Sequence, residues 1–152
     1  MVAIEKGSLV LVTGASGFIA AYIFPPIQSQ SFADILSHVV RELLRAGFKV
    51  RGTVRSASKG DYLKQLFKNE GEFEYATVAD MGKVSGKQLH MELRVQEGAF
   101  DEVVKGVDAV VHTASPFHFK VTHPNELIEP ATNGTVGVLK SIKKNKSVPL
   151  LC

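Results

Sequence analysis

This chain has little cysteine and a small net charge. Its 152 residues include a single cysteine, Cys152. An intrachain disulfide is therefore excluded, and a reducing, cytoplasmic location is expected. The net charge of +3 is small and dispersed, which argues against a nucleic-acid partner. With 45% hydrophobic and 22% charged residues, the composition is typical of one globular domain large enough to bury a core.

Charge is also absent between Lys6 and Asp34, yet no membrane segment is predicted there. A spanning helix needs about 20 mostly apolar residues. This window contains glycines and polar side chains, and Pro25–Pro26 would interrupt a helix. The first residues also lack a cleavable signal pattern. We therefore expect no membrane partner.

The most informative stretch covers residues 9–20. A short run of Leu and Val is typical of a strand buried on both faces. A glycine turn and a second apolar run, typical of a helix, follow it. Gly14 permits the tight turn, and Gly17 lets the backbone approach a pyrophosphate bound by free N–H groups at the helix N-terminus. This pattern predicts a dinucleotide-binding site.

Strand and helix patterns alternate along the rest of the chain. Strands are predicted at residues 8–13, 48–54, 72–78 and 107–113. Helices are predicted at residues 61–68, 98–105 and 126–144, with a further helical pattern from Leu36 to Leu44 that stops at Gly47. Pro130 and the Asn133–Gly134 pair are expected to weaken the first half of the helix at residues 126–144. Such alternation predicts an α/β fold with a Rossmann-type, doubly wound parallel sheet.

The sequence Thr-Gly-Ala-Ser-Gly-Phe-Ile at residues 13–19 belongs to a set of motifs. The other motifs lie at residues 49–56, 80–81, 98–108, 112–116 and 133–135. Together they resemble the extended short-chain dehydrogenases/reductases, in the branch of dihydroflavonol reductases and fungal aldehyde or ketone reductases. The resemblance implies hydride transfer between a nicotinamide dinucleotide and a small carbonyl substrate.

The resemblance also implies a set of cofactor-binding residues. Arg55, helped by Lys59, would bind the 2′-phosphate of NADP, and NADP is expected over NAD because no Asp or Glu stands at that strand end. Asp80 and Met81 would contact the adenine. The other members are Thr13, Gly14, Ser16, Gly17, Phe18 and Ile19 near the phosphates, and Thr113, Ala114 and Ser115 under the nicotinamide ribose. Each assignment has an alternative without a cofactor. Arg55 could be a solvated surface arginine, Asp80 an ordinary aspartate at a strand end, and residues 113–115 a plain turn before Pro116.

Residues 22–37 and 84–96 are predicted to be insertions. Arg55 follows Gly14 at about twice the ~20-residue spacing of a simple dinucleotide site. Removing residues 22–37 leaves one uninterrupted amphipathic helix, and removing residues 84–96 rejoins two motifs of the family. We hypothesise that both pieces are translated introns. The codons of Ala21–Tyr22 and of Val84–Ser85 can contain splice donors, and those of Ser37 and of Val95–Gln96 can contain acceptors. A pair of genuine surface loops is the alternative.

No catalytic residues are predicted in this chain. The resemblance implies a Tyr-x-x-x-Lys pair, but Tyr22, Tyr62 and Tyr75 are followed four residues later by Pro, Leu and Ala. We therefore expect the cofactor-binding part of a carbonyl reductase, truncated after about four strands and inactive alone, without the fifth strand, catalytic helix or substrate domain. The alternatives are a non-catalytic dinucleotide-binding protein or redox sensor, and a mis-spliced product without function. A metal site is not expected, because the histidines at 112, 118 and 123 lack ligand spacing.

Overall fold

A computed structural model of the chain describes residues 4–15, 38–78, 98–114, 123–145 and 150–151. The elements in chain order are β1 (Leu9–Thr13), α1 (His38–Arg45), β2 (Lys49–Val54), α2 (Ala57–Leu66), β3 (Phe73–Thr77), β4 (Ala109–His112), α3 (Asn125–Lys144) and β5 (Leu150–Leu151). Both predicted insertions, residues 22–37 and 84–96, lie outside the described residues.

The strands form one parallel sheet in the order β3-β2-β1-β4-β5. Val10 of the central strand pairs with Val50 on one side and with Ala109 on the other. The chain therefore runs outwards from β1 in one direction, returns, and continues in the other. The carboxyl ends of β1 and β4 meet where the strand order reverses, which is the usual ligand position in such sheets.

Helices pack on both faces of the sheet, as the doubly wound prediction requires. Val10 and Val12 lie in one core with Val40 and Leu44 of α1, whereas Leu11 lies in a second core with Val138 of α3. Alternate residues of β1 thus face opposite layers. All three are at most 1% exposed, so the Leu and Val run is a strand buried on both faces, as predicted. None of the helices in the described ranges is long and apolar enough to cross a membrane.

The predicted helix stop at Gly47 is confirmed. Gly47 has φ +90°, its N–H donates to Leu44 O at 2.9 Å, and the Phe48 N–H donates to Leu43 O at 3.0 Å. This pair of bonds is the Schellman arrangement, which favours glycine at its left-handed position. The other end of α1 is His38, the residue directly after the predicted insertion 22–37.

The prediction of a helix at residues 98–105 is wrong. The chain there forms successive turns between Gly98 (φ +97°) and Gly106 (φ +69°). Bonds over three residues, such as the Asp101 N–H to Gly98 O, alternate with a bond over four, from the Val104 N–H to Phe100 O. The apolar spacing reflects burial of Phe100 and Val104 against the sheet rather than a regular helix.

Two further elements differ from expectation. The fifth strand was expected to be missing, but Leu150–Leu151 pairs in parallel with Val110 and Val111 as the two-residue strand β5. The sheet therefore has four longer strands and a fifth strand of two residues. Helix α3 is continuous through Pro130, which was expected to weaken it. Because Pro130 lies in the second turn, the hydrogen bond that it cannot donate would end at Glu126, near the start of the helix.

Candidate functional site

The loops that follow β1 and β4 are in direct contact at the carboxyl edge of the sheet. Gly14 has φ +71°, a conformation that glycine adopts without strain. A Cβ added to Gly14 would lie 2.8 Å from Ala114 Cα and 3.0 Å from Ala114 Cβ. No side chain fits between these loops, so the backbone at Gly14 can approach its neighbours as closely as a phosphate-binding turn requires.

Hydrogen bonds fix this glycine turn from both sides. Thr113 Oγ1 donates to Thr13 O at 2.6 Å, which joins the β4 loop to the end of β1. On the β2 side, the Gly14 N–H donates to Thr53 Oγ1 at 2.9 Å, and the Ala15 N–H donates to Thr53 O at 3.1 Å. Thr53 was not among the predicted site residues. Its signal in the sequence is a threonine one residue before the end of the predicted strand at residues 48–54.

A second set of polar contacts runs from Thr13 to helix α3. The Thr13 side chain is fully buried, and its Oγ1 lies 2.7 Å from His112 Nδ1 and 3.4 Å from the Ala114 N–H donor atom. His112 Nε2 lies 3.2 Å from Thr135 Oγ1 of α3. Burial lowers the pKa of His112 below its ordinary value of 6.5. From the sequence, His112 was part of the family motif at residues 112–116 and was weighed as a metal ligand, a role that was not expected. In the structure it lies in a partly buried hydrogen-bond network.

Arg55 and Lys59 lie at the same edge of the sheet, on the side of β2. Arg55 directly follows the last residue of β2, and Lys59 stands in the first turn of α2; both are exposed. Ser56 between them has extended φ and ψ and precedes the helix. Two cations and the N-terminus of a ten-residue helix therefore occur together at this edge, an arrangement that favours an anion.

The structure brings together part of the predicted set. Thr13, Gly14, Thr113 and Ala114 are in mutual contact, and Arg55 and Lys59 follow the neighbouring strand. The remaining predicted residues lie outside the described part of the chain: Ser16, Gly17, Phe18, Ile19, Asp80, Met81 and Ser115. Within the described ranges, no three His, Cys, Asp or Glu side chains are grouped as a metal site would require.

The chain has clear relatives among curated proteins. It is 40% identical over 147 residues to aldehyde reductase 2 of Sporidiobolus salmonicolor, covering 95% of this chain and 34% of that protein. It is 36% identical over 140 residues to an NADPH-dependent methylglyoxal reductase of Saccharomyces cerevisiae, covering 89% of this chain and 32% of that protein. The chain thus spans about a third of the length of these relatives.

Solved structures of similar reductases also match this chain. The chain superposes with a TM-score of 0.65 and 36% identity on the crystal structure of Gre2 from Candida albicans in complex with NADPH, covering 94% of this chain and 36% of that one. The prediction of an NADP-type cofactor agrees with that complex and with the name of the yeast reductase. Residues 12–151 match the family described as male sterility protein, an NAD-binding family. The chain therefore belongs to this family, within the extended short-chain dehydrogenases/reductases and their fungal aldehyde reductase-like and dihydroflavonol reductase-like branch.

Proposed function

We propose that this chain is the NADP(H)-binding portion of an NADPH-dependent oxidoreductase that acts on aldehydes or ketones. The observation that carries the proposal is the close approach of Gly14 to Ala114 at the point where the strand order reverses. The turn has no side chain at Gly14 and lies at the carboxyl edge of a parallel sheet, which suits a dinucleotide. The NADPH dependence of the yeast relative supports the choice of cofactor.

The predicted site residues would bind four parts of such a cofactor. The turn at Gly14, held by Thr53 and Thr113, would bind the pyrophosphate together with residues 16–19. Arg55 and Lys59 would bind the 2′-phosphate, since a cation there favours NADP over NAD. Small residues at Thr113 to Ser115 would leave room beside the nicotinamide ribose, and Asp80 and Met81 would contact the adenine. When bound, the cofactor supplies the hydride for a carbonyl carbon.

The proton for such a reduction has no predicted donor in this sequence. The resemblance implies a tyrosine as donor, with a lysine four residues later that lowers its pKa, and none of the three tyrosines here has that lysine. We infer that these 152 residues bind the cofactor without reducing a carbonyl substrate by themselves. The same observation favours the alternative, a non-catalytic dinucleotide-binding protein or redox sensor. A cytoplasmic location stays a prediction from the sequence.

Titration of the purified chain with NADPH and with NADH tests the proposal. NADPH is expected to bind more tightly, and NADPH oxidation with a panel of aldehydes and ketones is expected to stay near background. General acid catalysis is typically worth about 10²–10⁴-fold, so its loss is measurable. Failure to bind NADPH would refute the proposed function. If NADPH binds and the chain also turns over substrate at the rate of a full-length relative, only the inference that the chain is inactive would be refuted.

A further inference from the structure

His112 connects the carboxyl edge of the sheet to helix α3. It is the last residue of β4 and is half-buried, with Thr13 of β1 on its Nδ1 side and Thr135 of α3 on its Nε2 side. Thr135 in turn donates its hydroxyl hydrogen to Ala131 O at 3.0 Å. One imidazole ring thus joins three separate segments of the chain beside the turn assigned above to the cofactor.

The directions of these hydrogen bonds assign one form of the ring. Because Thr135 Oγ1 donates its only hydrogen to Ala131 O, it can only accept from His112, so Nε2 carries a hydrogen. At the other nitrogen, Thr13 Oγ1 can accept the Ala114 N–H while it donates its own hydrogen to Nδ1. Every donor then has an acceptor only when His112 is the neutral Nε2–H tautomer, an assignment made from the network.

We propose that His112 is a positioning residue for the cofactor-binding edge, and that protonation of His112 weakens the binding of NADP(H). The neutral ring holds the Thr13 hydroxyl, which orients the Ala114 N–H in the loop that touches Gly14. The proposal rests on the proposed function, since it concerns affinity for the cofactor at that edge.

Protonation would disturb the network at its most buried atom. A hydrogen on Nδ1 would point at Thr13 Oγ1, and the hydrogen of that fully buried hydroxyl would lose its acceptor. The hydroxyl and the Ala114 N–H would have to rearrange. Gly14 has no space to absorb a shift of Ala114, because the two backbones are already in close contact.

Charged neighbours do not oppose this behaviour in the described part of the chain. β1 and β5 carry no titratable side chain, and β4 carries none besides His112. The turn of α3 that contains Ala131 and Thr135 is also uncharged, and the nearest charged residues along that helix are Glu129 and Lys140. Burial is the cause of the lowered pKa of His112, so the neutral form is favoured at neutral pH.

Calorimetric titration with NADP⁺, which is stable in acid, tests the proposal at about pH 8 and at an acid pH where the imidazole ¹⁵N spectrum shows that His112 is protonated. The 2′-phosphate of the cofactor also titrates at about pH 6. The measured quantity is therefore the ratio of the affinities of one protein at the two pH values, and this ratio is compared between variants. His112→Asn keeps an acceptor for the Thr13 hydroxyl and cannot titrate. We expect the affinity of the unaltered chain to fall between the two pH values by about two- to tenfold more than that of His112→Asn.

The exposed His38 supplies a matched control, and Thr135 supplies a second test if His112→Asn does not fold. His38→Gln should keep the pH profile of the unaltered chain. Thr135→Ser keeps the hydroxyl and should bind NADP⁺ normally at about pH 8, whereas Thr135→Val should bind about two- to tenfold more weakly. The imidazole ¹⁵N spectrum should show the neutral Nε2–H tautomer even without cofactor.

Three results would overturn the proposal. Identical pH profiles for the unaltered chain and His112→Asn would overturn it, and so would equal affinities for Thr135→Val and Thr135→Ser. An Nδ1–H tautomer in the spectrum would contradict the assigned directions. In each of these cases NADP⁺ still binds and the proposed function stands. Absence of NADP⁺ binding by the unaltered chain at about pH 8 would instead refute the proposed function, and the coupling with it.

Discussion

The backbone N–H of Gly14 donates a hydrogen bond of 2.9 Å to the side-chain oxygen of Thr53, 39 residues further along the chain. Thr53 is 5% exposed, so water cannot readily replace it as the acceptor. This bond fixes the glycine turn to the end of β2, the strand that Arg55 follows. Thr53 therefore connects the two parts of the proposed cofactor site, the glycine turn after β1 and the segment with Arg55 after β2.

Replacing Thr53 tests that connection. Thr53→Val keeps the shape of the side chain but leaves the Gly14 N–H without this acceptor, and we expect a loss of about 1–3 kcal/mol in the free energy of unfolding together with weaker NADPH binding. Thr53→Ser retains the oxygen and is the matched control. Urea denaturation and NADPH titration of both variants provide the measurements. Equal stability and affinity of the two variants would show that the bond is dispensable.

Gly14→Ala should lower the stability of the fold by more than the positive φ of Gly14 alone explains. The change places a Cβ 2.8 Å from Ala114 Cα in addition to the strain of a positive φ, which costs about 1–2 kcal/mol. Gly106→Ala separates the two effects, because Gly106 has φ +69° and a Cβ there would meet no atom within 4 Å. We expect Gly106→Ala to lose only the conformational part and to bind NADPH normally. Similar melting temperatures for the two variants would contradict the steric contact.

Arg55→Asp should abolish the preference for NADPH over NADH. The carboxylate would repel the 2′-phosphate and could accept the ribose hydroxyls of NADH, so NADPH affinity is expected to fall by about 10- to 100-fold. Lys68→Asp makes the same change of charge at an exposed position after the other end of α2. It should leave the ratio of the two affinities unchanged. A chain that keeps its preference after Arg55→Asp would exclude Arg55 as the phosphate ligand.

Asp101 gives the fold a defined sensitivity to acid. Lys144 Nζ lies 2.7 Å from Asp101 Oδ2, and Ser141 donates to Oδ1; these two hydrogen bonds, the one from Lys144 foremost, lower the pKa of Asp101 below 3.8. The ionised carboxylate therefore stabilises the fold above pH 3.8, and this contribution is lost as the pH falls below 3.8 through the lowered folded-state value.

Acid denaturation of Asp101→Asn measures this contribution. The variant should lose less stability than the unaltered chain as the pH falls below 3.8, because it has no carboxylate to protonate at this position. Lys144→Gln should also reduce this pH dependence, because it removes the ammonium group that lowers the pKa of Asp101 most. Acid denaturation curves that are parallel for all three proteins would show that the pair has no such role.

Deleting residues 22–37 should raise the melting temperature and tighten NADP binding. The sequence predicts that the deletion joins Ala21 to His38, the first residue of α1, in one amphipathic helix. A longer helix is less marginal, and the deletion also removes any cost of ordering the extra residues, roughly 1–2 kcal/mol for each one fixed. Thermal melting with and without NADP compares the two proteins. If the shortened protein melts no higher, residues 22–37 are a native part of the fold.

A comparison of genomic DNA with the mature message tests the origin of both predicted insertions. The intron hypothesis expects a shorter spliced form that lacks residues 22–37 and 84–96. A mature message that always retains both segments would identify them as genuine parts of the protein.

The strand pattern of the sequence predicted the sheet well because a buried strand has a local signature, a short run of apolar side chains. The Leu and Val run of β1 and the glycine after it were sufficient to place the turn at the carboxyl edge. The same reasoning failed at residues 98–105, where Phe100 and Val104 are buried at helical spacing although the backbone forms turns. Apolar spacing reports which side chains face the core, and it does not fix the hydrogen-bond pattern of a short segment.

The polar contacts of the site could not be predicted in the same way. Thr53 and Gly14 are 39 residues apart, and His112 and Thr135 are 23 apart, so neither pair has a local signature. Each contact exists because the strand order brings distant segments to one edge. The resemblance to a family supplied Thr13, Thr113 and Ala114 as cofactor-binding residues, but only the structure shows that hydrogen bonds join them to one another.

The strand order also has a consequence for how the chain folds. Arg51 and Glu74, on β2 and β3, are 23 residues apart, whereas Thr13 and His112, on β1 and β4, are 99 apart. Closing the longer loop costs more chain entropy, and pairing between such distant strands is slow. We therefore expect β1, β2 and β3 to assemble first, and β4, which β5 pairs with, to dock afterwards on the preformed edge of β1. The glycine turn can meet Ala114 only in that final step, so competence to bind the cofactor should be the slowest property to appear during refolding.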